Sequence, residues 1–273
     1  MIAGITIEIC AGSLTDVIHA SSVEAVDRIE LNSSLELGGI TPSLNTLVLA
    51  KKYSDQKIIC MVRPRPAGFV YNNYEKETMY ADAETFLKHG ADGIVFGSLD
   101  KDHTVDQIFT EKMVRLIHSY GKEAVFHKAF DLTPDAFEAA DTLASLHVDR
   151  ILTSGQKESS EDGTKLIHDL NDAYGSRIAF LPGGGVSETN VAKILRETGC
   201  HQIHMTAKSS YEDNGSYYAV DKDRIQKIIQ VIALARKQPE RMQDMPEADL
   251  EMLENDRYED QMLSGHEDDH DRY

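Results

Sequence analysis

Three short stretches of the chain share one pattern: Glu-Ala-Val-Asp-Arg-Ile at 24–29, His-Gly-Ala-Asp-Gly-Ile at 89–94 and Leu-His-Val-Asp-Arg-Ile at 146–151. In each stretch, a segment with helical periodicity gives way within two or three residues to a strand-like apolar run. Such short connections from a helix to a strand are typical of parallel sheets with helices packed outside them. The three stretches therefore predict a repeated strand-helix unit.

Working outward from these stretches, the same unit occurs eight times. Apolar runs rich in Ile and Val predict strands at 4–10, 27–32, 57–64, 92–97, 122–128, 149–153, 177–182 and 201–206. Helical periodicity predicts helices at 14–26, 43–53, 76–89, 105–120, 135–146, 163–174, 189–197 and 222–236. A doubly wound open sheet is the structural alternative, but eight evenly spaced units favour closure. The predicted fold is an α/β (β/α)8 TIM barrel.

Length and charge divide the chain into one barrel and a tail. The 273 residues suit a single barrel, which typically needs about 250 residues. We assign residues 1–237 to the barrel domain. Residues 238–273 hold thirteen Asp or Glu against three Arg, which predicts an acidic tail that is largely flexible, with at most one short helix at 248–263.

Composition excludes several classes of partner. The formal net charge of −18 repels nucleic-acid phosphates and anionic membrane surfaces, so neither is an expected partner. No apolar run reaches the roughly 18 residues of a membrane span, and the N-terminus lacks the pattern of a secretory signal. The three cysteines form no CxxC pair, so we expect reduced thiols and a cytoplasmic location.

Polar residues at strand ends predict a site, because active sites of such barrels lie at the C-terminal ends of the strands. Side-chain alternation places Glu8 with Cys10 on one face, and Arg63 with Arg65. Other strands contribute Glu30, Asn32, His127, Thr153, Ser154, His204 and Thr206. Singly, each has an ordinary structural explanation, such as an ion pair between Glu8 and Arg63. Convergence from six strands predicts a binding or catalytic site, because burying so many charges without a ligand is costly.

A glycine loop follows the seventh predicted strand. Gly183, Gly184 and Gly185 let backbone amides approach a ligand closely, and the next helix begins nearby. Barrel phosphate sites often use the loops after strands seven and eight. The loop therefore predicts an anion cradle, and a tight turn is the plain alternative.

Nine segments of the chain match motifs of a known family; they lie at 8–10, 28–31, 38–43, 63–65, 69–71, 126–131, 152–156, 183–186 and 204–207. Through these segments the chain resembles the CutC family of copper homeostasis proteins. It implies a cytoplasmic, often homo-oligomeric (β/α)8 barrel that binds Cu(I) with cysteine as a ligand. The chain departs from many relatives at Asn32, where they have a second cysteine, and at Lys128, where they have Arg.

Two functions follow, and whether the protein is an enzyme stays open. As a copper protein, it would bind the ion through Cys10 with His127 or His204, or with a cysteine of a second subunit, because Cu(I) prefers soft donors. As an enzyme on a small anionic or sugar-like substrate, it would use Glu8, Glu30 and His127 for acid-base chemistry and proton transfer. The anion would then be held by Arg63, Arg65 and the glycine loop, with Thr153, Ser154, His204 and Thr206 as further ligand contacts. The third alternative is a scaffold protein, in which the polar residues at the barrel mouth are the vestige of a former site.

Overall fold

The computed structural model describes residues 2–237, whose centre is an eight-stranded parallel sheet. The strands are β1 (Thr6–Ala11), β2 (Arg28–Leu31), β3 (Lys57–Met61), β4 (Gly93–Phe96), β5 (Glu123–Phe126), β6 (Arg150–Thr153), β7 (Ala179–Pro182) and β8 (Gln202–Met205). They pair in chain order, and β1 also pairs with β8. A parallel bridge between Gly183 and His204 joins the end of β7 to β8. The predicted (β/α)8 TIM barrel is confirmed.

Eight helices alternate with these strands in the described chain. They are α1 (Leu14–Ser21), α2 (Leu44–Tyr53), α3 (Asn73–Lys88), α4 (Gln107–Ser119), α5 (Ala136–Ser145), α6 (Thr164–Tyr174), α7 (Val191–Thr198) and α8 (Lys222–Lys237). The start of α3 lies three residues before the predicted one, because Asn72 and Glu75 form a capping box that satisfies the first backbone amides.

The aspartates of the three repeated stretches share one structural role. Each carboxylate accepts a hydrogen bond from a backbone amide of the preceding strand: Asp27 from Ile7 (2.9 Å), Asp92 from Ile58 (3.0 Å) and Asp149 from Ala124 (2.7 Å). The bond fixes the starts of β2, β4 and β6 against the strand that precedes each of them. The repeated sequence therefore encodes a repeated contact between strands.

The interior of the barrel below its mouth holds a polar network beside a small apolar cluster of Ile59, Met61, Val95 and Val125. Arg28 and Arg150 both donate to the Gln202 side chain, over 2.9 and 3.2 Å. Arg150 also pairs with Glu123 near the floor. The outward faces of the strands carry the apolar core against the helices, as at Ile7 and Ile29. Alternation along β1 thus turns Glu8 and Cys10 inward, as predicted.

A hairpin between β8 and α8 was missed by the sequence patterns. It consists of β9 (Lys208–Glu212) and β10 (Ser216–Val220), which pair antiparallel.

The predicted acidic tail at 238–273 lies outside the described residues. Within the described part of the chain, no helix combines the length and the apolar character needed to cross a membrane.

Candidate functional site

A cavity of about 210 Å³ opens at the C-terminal ends of the strands, and we call it the mouth cavity. Its lining includes these polar residues: Cys10, Glu30, Asn32, Arg63, His127, Lys128, His204, Thr206 and Lys208. A larger groove of about 390 Å³ lies on the outer surface beside α3 and α4. Its charged residues Glu111, Lys112 and Arg115 are all exposed. The mouth cavity is the candidate site because buried titratable groups converge there.

Three potential metal ligands meet at the mouth cavity, and we call them the ligand cluster: Cys10, Glu30 and His204. Strand register brings them together, since Cys10 pairs with Glu30 across β1 and β2 while β8 lies on the other side of β1. Their ligand atoms all lie within 4.8 Å of one another, and all three residues are buried. A thiol, a carboxyl and an imidazole this close form a potential metal site.

Glu8 supports the ligand cluster from below. Its Oε1 accepts a hydrogen bond from His204 Nδ1 over 2.8 Å, and its Oε2 pairs with Arg28 Nε over 2.6 Å. Burial raises the pKa of Glu8, but the Arg28 guanidinium and the His204 imidazole outweigh it, so the pKa lies well below its usual range. Glu8 is therefore an ionised anchor that orients the His204 ring. The ion pair between Glu8 and Arg63, which the sequence offered as a structural alternative, does not form, because Glu8 pairs with Arg28.

The acidic members of the ligand cluster hold their protons more tightly than usual. Burial, reinforced by the neighbouring Glu30 carboxyl, raises the pKa of the Cys10 thiol well above its ordinary value. Burial also raises the pKa of Glu30 against the opposing charge of His204. Burial lowers the pKa of His204, but Glu30 and Glu8 outweigh it and the net direction is upward. A metal ion would have to displace the proton of the Cys10 thiol.

Asn32 connects two members of the ligand cluster. Its Nδ2 donates to Glu30 Oε1 over 2.8 Å and to Cys10 Sγ over 3.5 Å. Its Oδ1 is buried without a hydrogen-bond partner among the described residues. Gly39 has a positive φ of 78°, and a Cβ there would lie 2.5 Å from Asn32 Oδ1. The glycine therefore leaves room for the Asn32 side chain.

His127 is held neutral at one side of the mouth cavity. Its Nδ1 accepts a hydrogen bond from the Ala129 amide over 3.1 Å, which leaves Nε2 with the proton. Nε2 is buried without a partner among the described residues. Burial lowers the pKa of His127 to about 3, and the Arg63 charge adds to the effect. Gly97 makes room for the ring, since a Cβ there would lie 2.5 Å from it.

The two arginines predicted as anion anchors are separated. Arg63 lines the mouth cavity, but its terminal nitrogens donate to backbone carbonyls, including those of Gly39 and Ala67 at 2.9 Å each. Arg65 is absent from the lining and pairs with Glu75 over 2.5 Å. Neither arginine keeps a free planar fork for a carboxylate.

The predicted hydroxyl contacts are also occupied by the protein. Thr153 Oγ1 donates to Asp131 over 2.5 Å, and Ser154 Oγ donates to the same carboxylate over 3.0 Å. The amides of Ser154 and Gln156 donate to Asp131 as well. Thr153 and Ser154 are absent from the lining of the mouth cavity, and their bonds fix the turn after β6.

The glycine loop lies beside the mouth cavity instead of lining it. Gly183 is packed so closely that a Cβ would lie 2.7 Å from Leu152. Gly184 lies next to Lys128, whose Nζ would be 3.2 Å from a Cβ at that position. The following helix begins at Val191, beyond the predicted start at 189. Gly184 therefore lies beside Lys128, which lines the mouth cavity.

Comparison with known proteins identifies the family. The model of the CutC family matches residues 5–209, a segment that contains every lining residue of the mouth cavity. The chain belongs to the CutC family. The resemblance predicted from the strand-end motifs is confirmed.

Individual CutC relatives cover most of the chain. The family protein CutC of Treponema denticola is 48% identical over 209 residues, covering 77% of this chain and 84% of that protein. The human copper homeostasis protein cutC homolog is 36% identical over 212 residues, covering 78% and 76%. The crystal structure of the putative copper homeostasis protein CutC from Streptococcus agalactiae has a TM-score of 0.70 at 33% identity, covering 74% and 98%.

More distant structures share the fold alone. The 3-hexulose-6-phosphate synthase of Salmonella typhimurium has a TM-score of 0.57 at 17% identity and covers 85% of this chain and 100% of its own. The likeness supports the barrel assignment and carries no information about the substrate of this CutC-family chain.

Sequence reasoning missed several residues of the site. Arg28, which pairs with Glu8, lies one strand away and had no sequence signal for that contact. Asp131 lies just beyond β5, and its position after a strand end was the available signal. Lys208 lines the mouth cavity from the unpredicted hairpin, so nothing local in the sequence pointed to it.

Proposed function

We propose that this CutC-family chain binds a copper ion as Cu(I), with Cys10 and His204 as its main ligands and Glu30 beside them. The observation that carries the proposal is the ligand cluster, whose donor atoms lie within 4.8 Å of one another. The names of the human and mouse relatives, copper homeostasis protein cutC homolog, support copper as the ion.

The donor set fits copper chemically. Thiolate is a soft ligand that selects Cu(I), and imidazole also suits copper. Glu8 would act behind His204, since a carboxylate bonded to the second ring nitrogen orients a metal-bound histidine. Of the two histidines considered from the sequence, His204 is favoured because it lies in the ligand cluster. Cys60 and Cys200 are buried and absent from the mouth cavity.

A competition titration tests this proposal. Cu(I) would be titrated into the purified protein against a chromogenic chelator, beside Cys10→Ser, His204→Gln and the control Cys200→Ser. We expect one tightly bound ion per chain in the wild type and the control, and binding at least about a hundredfold weaker in the other two. Equal affinity in Cys10→Ser and the wild type would exclude the site.

A TIM-barrel enzyme acting on a small anionic or sugar-like substrate is the second candidate. The observation in its favour is the size of the mouth cavity, about 210 Å³, which is several times the roughly 30 Å³ of one water. Glu30 and His204 would serve as the acid-base pair, while His127, held neutral, would donate a hydrogen bond from Nε2. A metabolite library that neither shifts the melting temperature nor is turned over would remove this candidate.

A cytoplasmic location and a homo-oligomeric state complete the proposal. The location is supported by the three cysteines, which are all free thiols in the described chain. Oligomerisation rests on the family resemblance, and light scattering on the eluted protein would measure it directly. A mass equal to that of one chain, 30.4 kDa, would contradict it.

A further inference from the structure

The lining of the mouth cavity carries more cationic side chains than carboxyl groups. Arg63, Lys128 and Lys208 all line the cavity, against one carboxyl, that of Glu30. This local excess of positive charge stands out in a chain with a net charge of −18. A cavity lined in this way favours an anionic ligand.

Lys128 is held at the rim without a strong partner. Its Nζ lies 3.9 Å from Asp131 Oδ2, beyond a normal hydrogen bond. That carboxylate already accepts from Thr153, Ser154 and Gln156. The ammonium hydrogens of Lys128 are therefore available to a ligand.

Lys208 is the second available cation. It is exposed at the start of β9, and its Nζ lies 4.3 Å from the centre of the Tyr218 ring. It forms no ion pair with the acidic residues of the described chain. The hydroxyl of Thr206, two residues earlier, also lines the cavity and has no partner among residues 2–237.

Backbone amides add to this rim. The amides of Gly184 and Gly185 donate no hydrogen bond to any group in the described chain, and Gly184 lies beside Lys128 Nζ. Unpaired loop amides next to an ammonium group are typical of anion sites. They form a second set of donors, independent of the lysine side chains.

We propose that Lys128, Lys208 and the Gly184-Gly185 amides bind the phosphate group of a small phosphomonoester, whose organic part extends into the mouth cavity. The inference rests on the second candidate function and names its substrate class. Phosphate is favoured over carboxylate because the available donors are ammonium point charges and amides, whereas the planar forks of Arg63 and Arg65 are occupied. The volume of about 210 Å³ limits the organic part to a few carbon atoms.

Calorimetric titration at low ionic strength tests the site. Glycerol 3-phosphate and inorganic phosphate are the anionic probes, and glycerol is the neutral control. We expect the phosphates to bind and glycerol not to bind. Lys128→Gln and Lys208→Gln should each weaken binding at least about tenfold, whereas Lys112→Gln on α4, outside the mouth cavity, should leave it unchanged.

The outcomes separate this site from the copper proposal. Cys10→Ser should keep its affinity for inorganic phosphate while losing Cu(I), and the two lysine variants should keep Cu(I). Melting curves of each variant show that the fold is intact. Absence of phosphate binding in the wild type, or equal affinity in the two rim variants and Lys112→Gln, would overturn the inference.

Discussion

His204 Nδ1 donates a hydrogen bond of 2.8 Å to Glu8 Oε1, and this contact decides which nitrogen of the imidazole remains for a ligand. Because the Arg28 guanidinium and His204 keep Glu8 ionised against the effect of burial, the carboxylate accepts and Nδ1 must carry a proton. Nε2 is then the nitrogen available to a metal ion in the ligand cluster.

Glu8→Gln should weaken both metal binding and the fold. Loss of the orienting carboxylate is expected to lower metal affinity about 10- to 100-fold. Leaving Arg28 buried without its partner should cost about 3 kcal/mol in the free energy of unfolding. Chelator competition and urea denaturation measure the two effects. Glu84→Gln, which breaks an exposed pair with Lys88, is the control and should change stability by less than about 0.5 kcal/mol. Wild-type metal affinity in Glu8→Gln would show that Glu8 does not orient the ligand.

Gly97→Ala should displace His127. The new Cβ would lie 2.5 Å from the imidazole ring and 3.0 Å from Ala129 Cβ, so the side chain or the backbone has to move. We expect a loss of about 1 to 3 kcal/mol in the free energy of unfolding. Gly68→Ala, whose Cβ meets nothing within 4 Å, should stay within about 0.5 kcal/mol of the wild type. Equal stability of the two variants in urea would contradict the tight packing.

Acid should destabilise the protein through His127. Burial, with a contribution from Arg63, lowers its pKa from 6.5 to about 3 in the folded state, so protons bind the unfolded chain more readily. Above pH 6.5, the titration of His127 does not change the free energy of unfolding. As the pH falls from 6.5 towards 3, this titration lowers the free energy of unfolding by at most about 1.4 kcal/mol per pH unit. His127→Gln lacks this titrating group. The difference in free energy of unfolding between this variant and the wild type should therefore change by up to about 1.4 kcal/mol per pH unit between pH 6.5 and 4. His168→Gln, at an exposed position, is the control. If the free energy of unfolding of His127→Gln ran parallel to that of the wild type across this pH range, the prediction would be contradicted.

The barrel was predictable because its repeats act locally. Asp27, Asp92 and Asp149 close three joints in the same way, each bonded to the preceding strand. Strand alternation then fixed the inward face, which correctly placed Glu8 and Cys10 together. These features depend on neighbours in sequence or on adjacent strands.

The site was less predictable because tertiary contacts determine which groups each site residue pairs with. Arg63 and Arg65 lie two positions apart, which on a regular strand would place them on one face. In the structure, Arg63 lines the mouth cavity and Arg65 pairs with Glu75. The chain turns after β3, which ends at Met61, so strand alternation no longer applies at Arg65. The Thr153 hydroxyl donates its hydrogen bond to Asp131, which lies after a different strand. Lys208 depends on a hairpin that no periodicity indicated.

X-ray absorption spectroscopy of the Cu(I)-loaded protein tests the central claim most directly. The ligand cluster predicts one sulfur and one imidazole nitrogen bound to each copper ion, and loss of the sulfur signal in Cys10→Ser but not in Cys200→Ser. Two sulfur ligands per copper ion, or a shell of nitrogen and oxygen alone in the wild type, would contradict it.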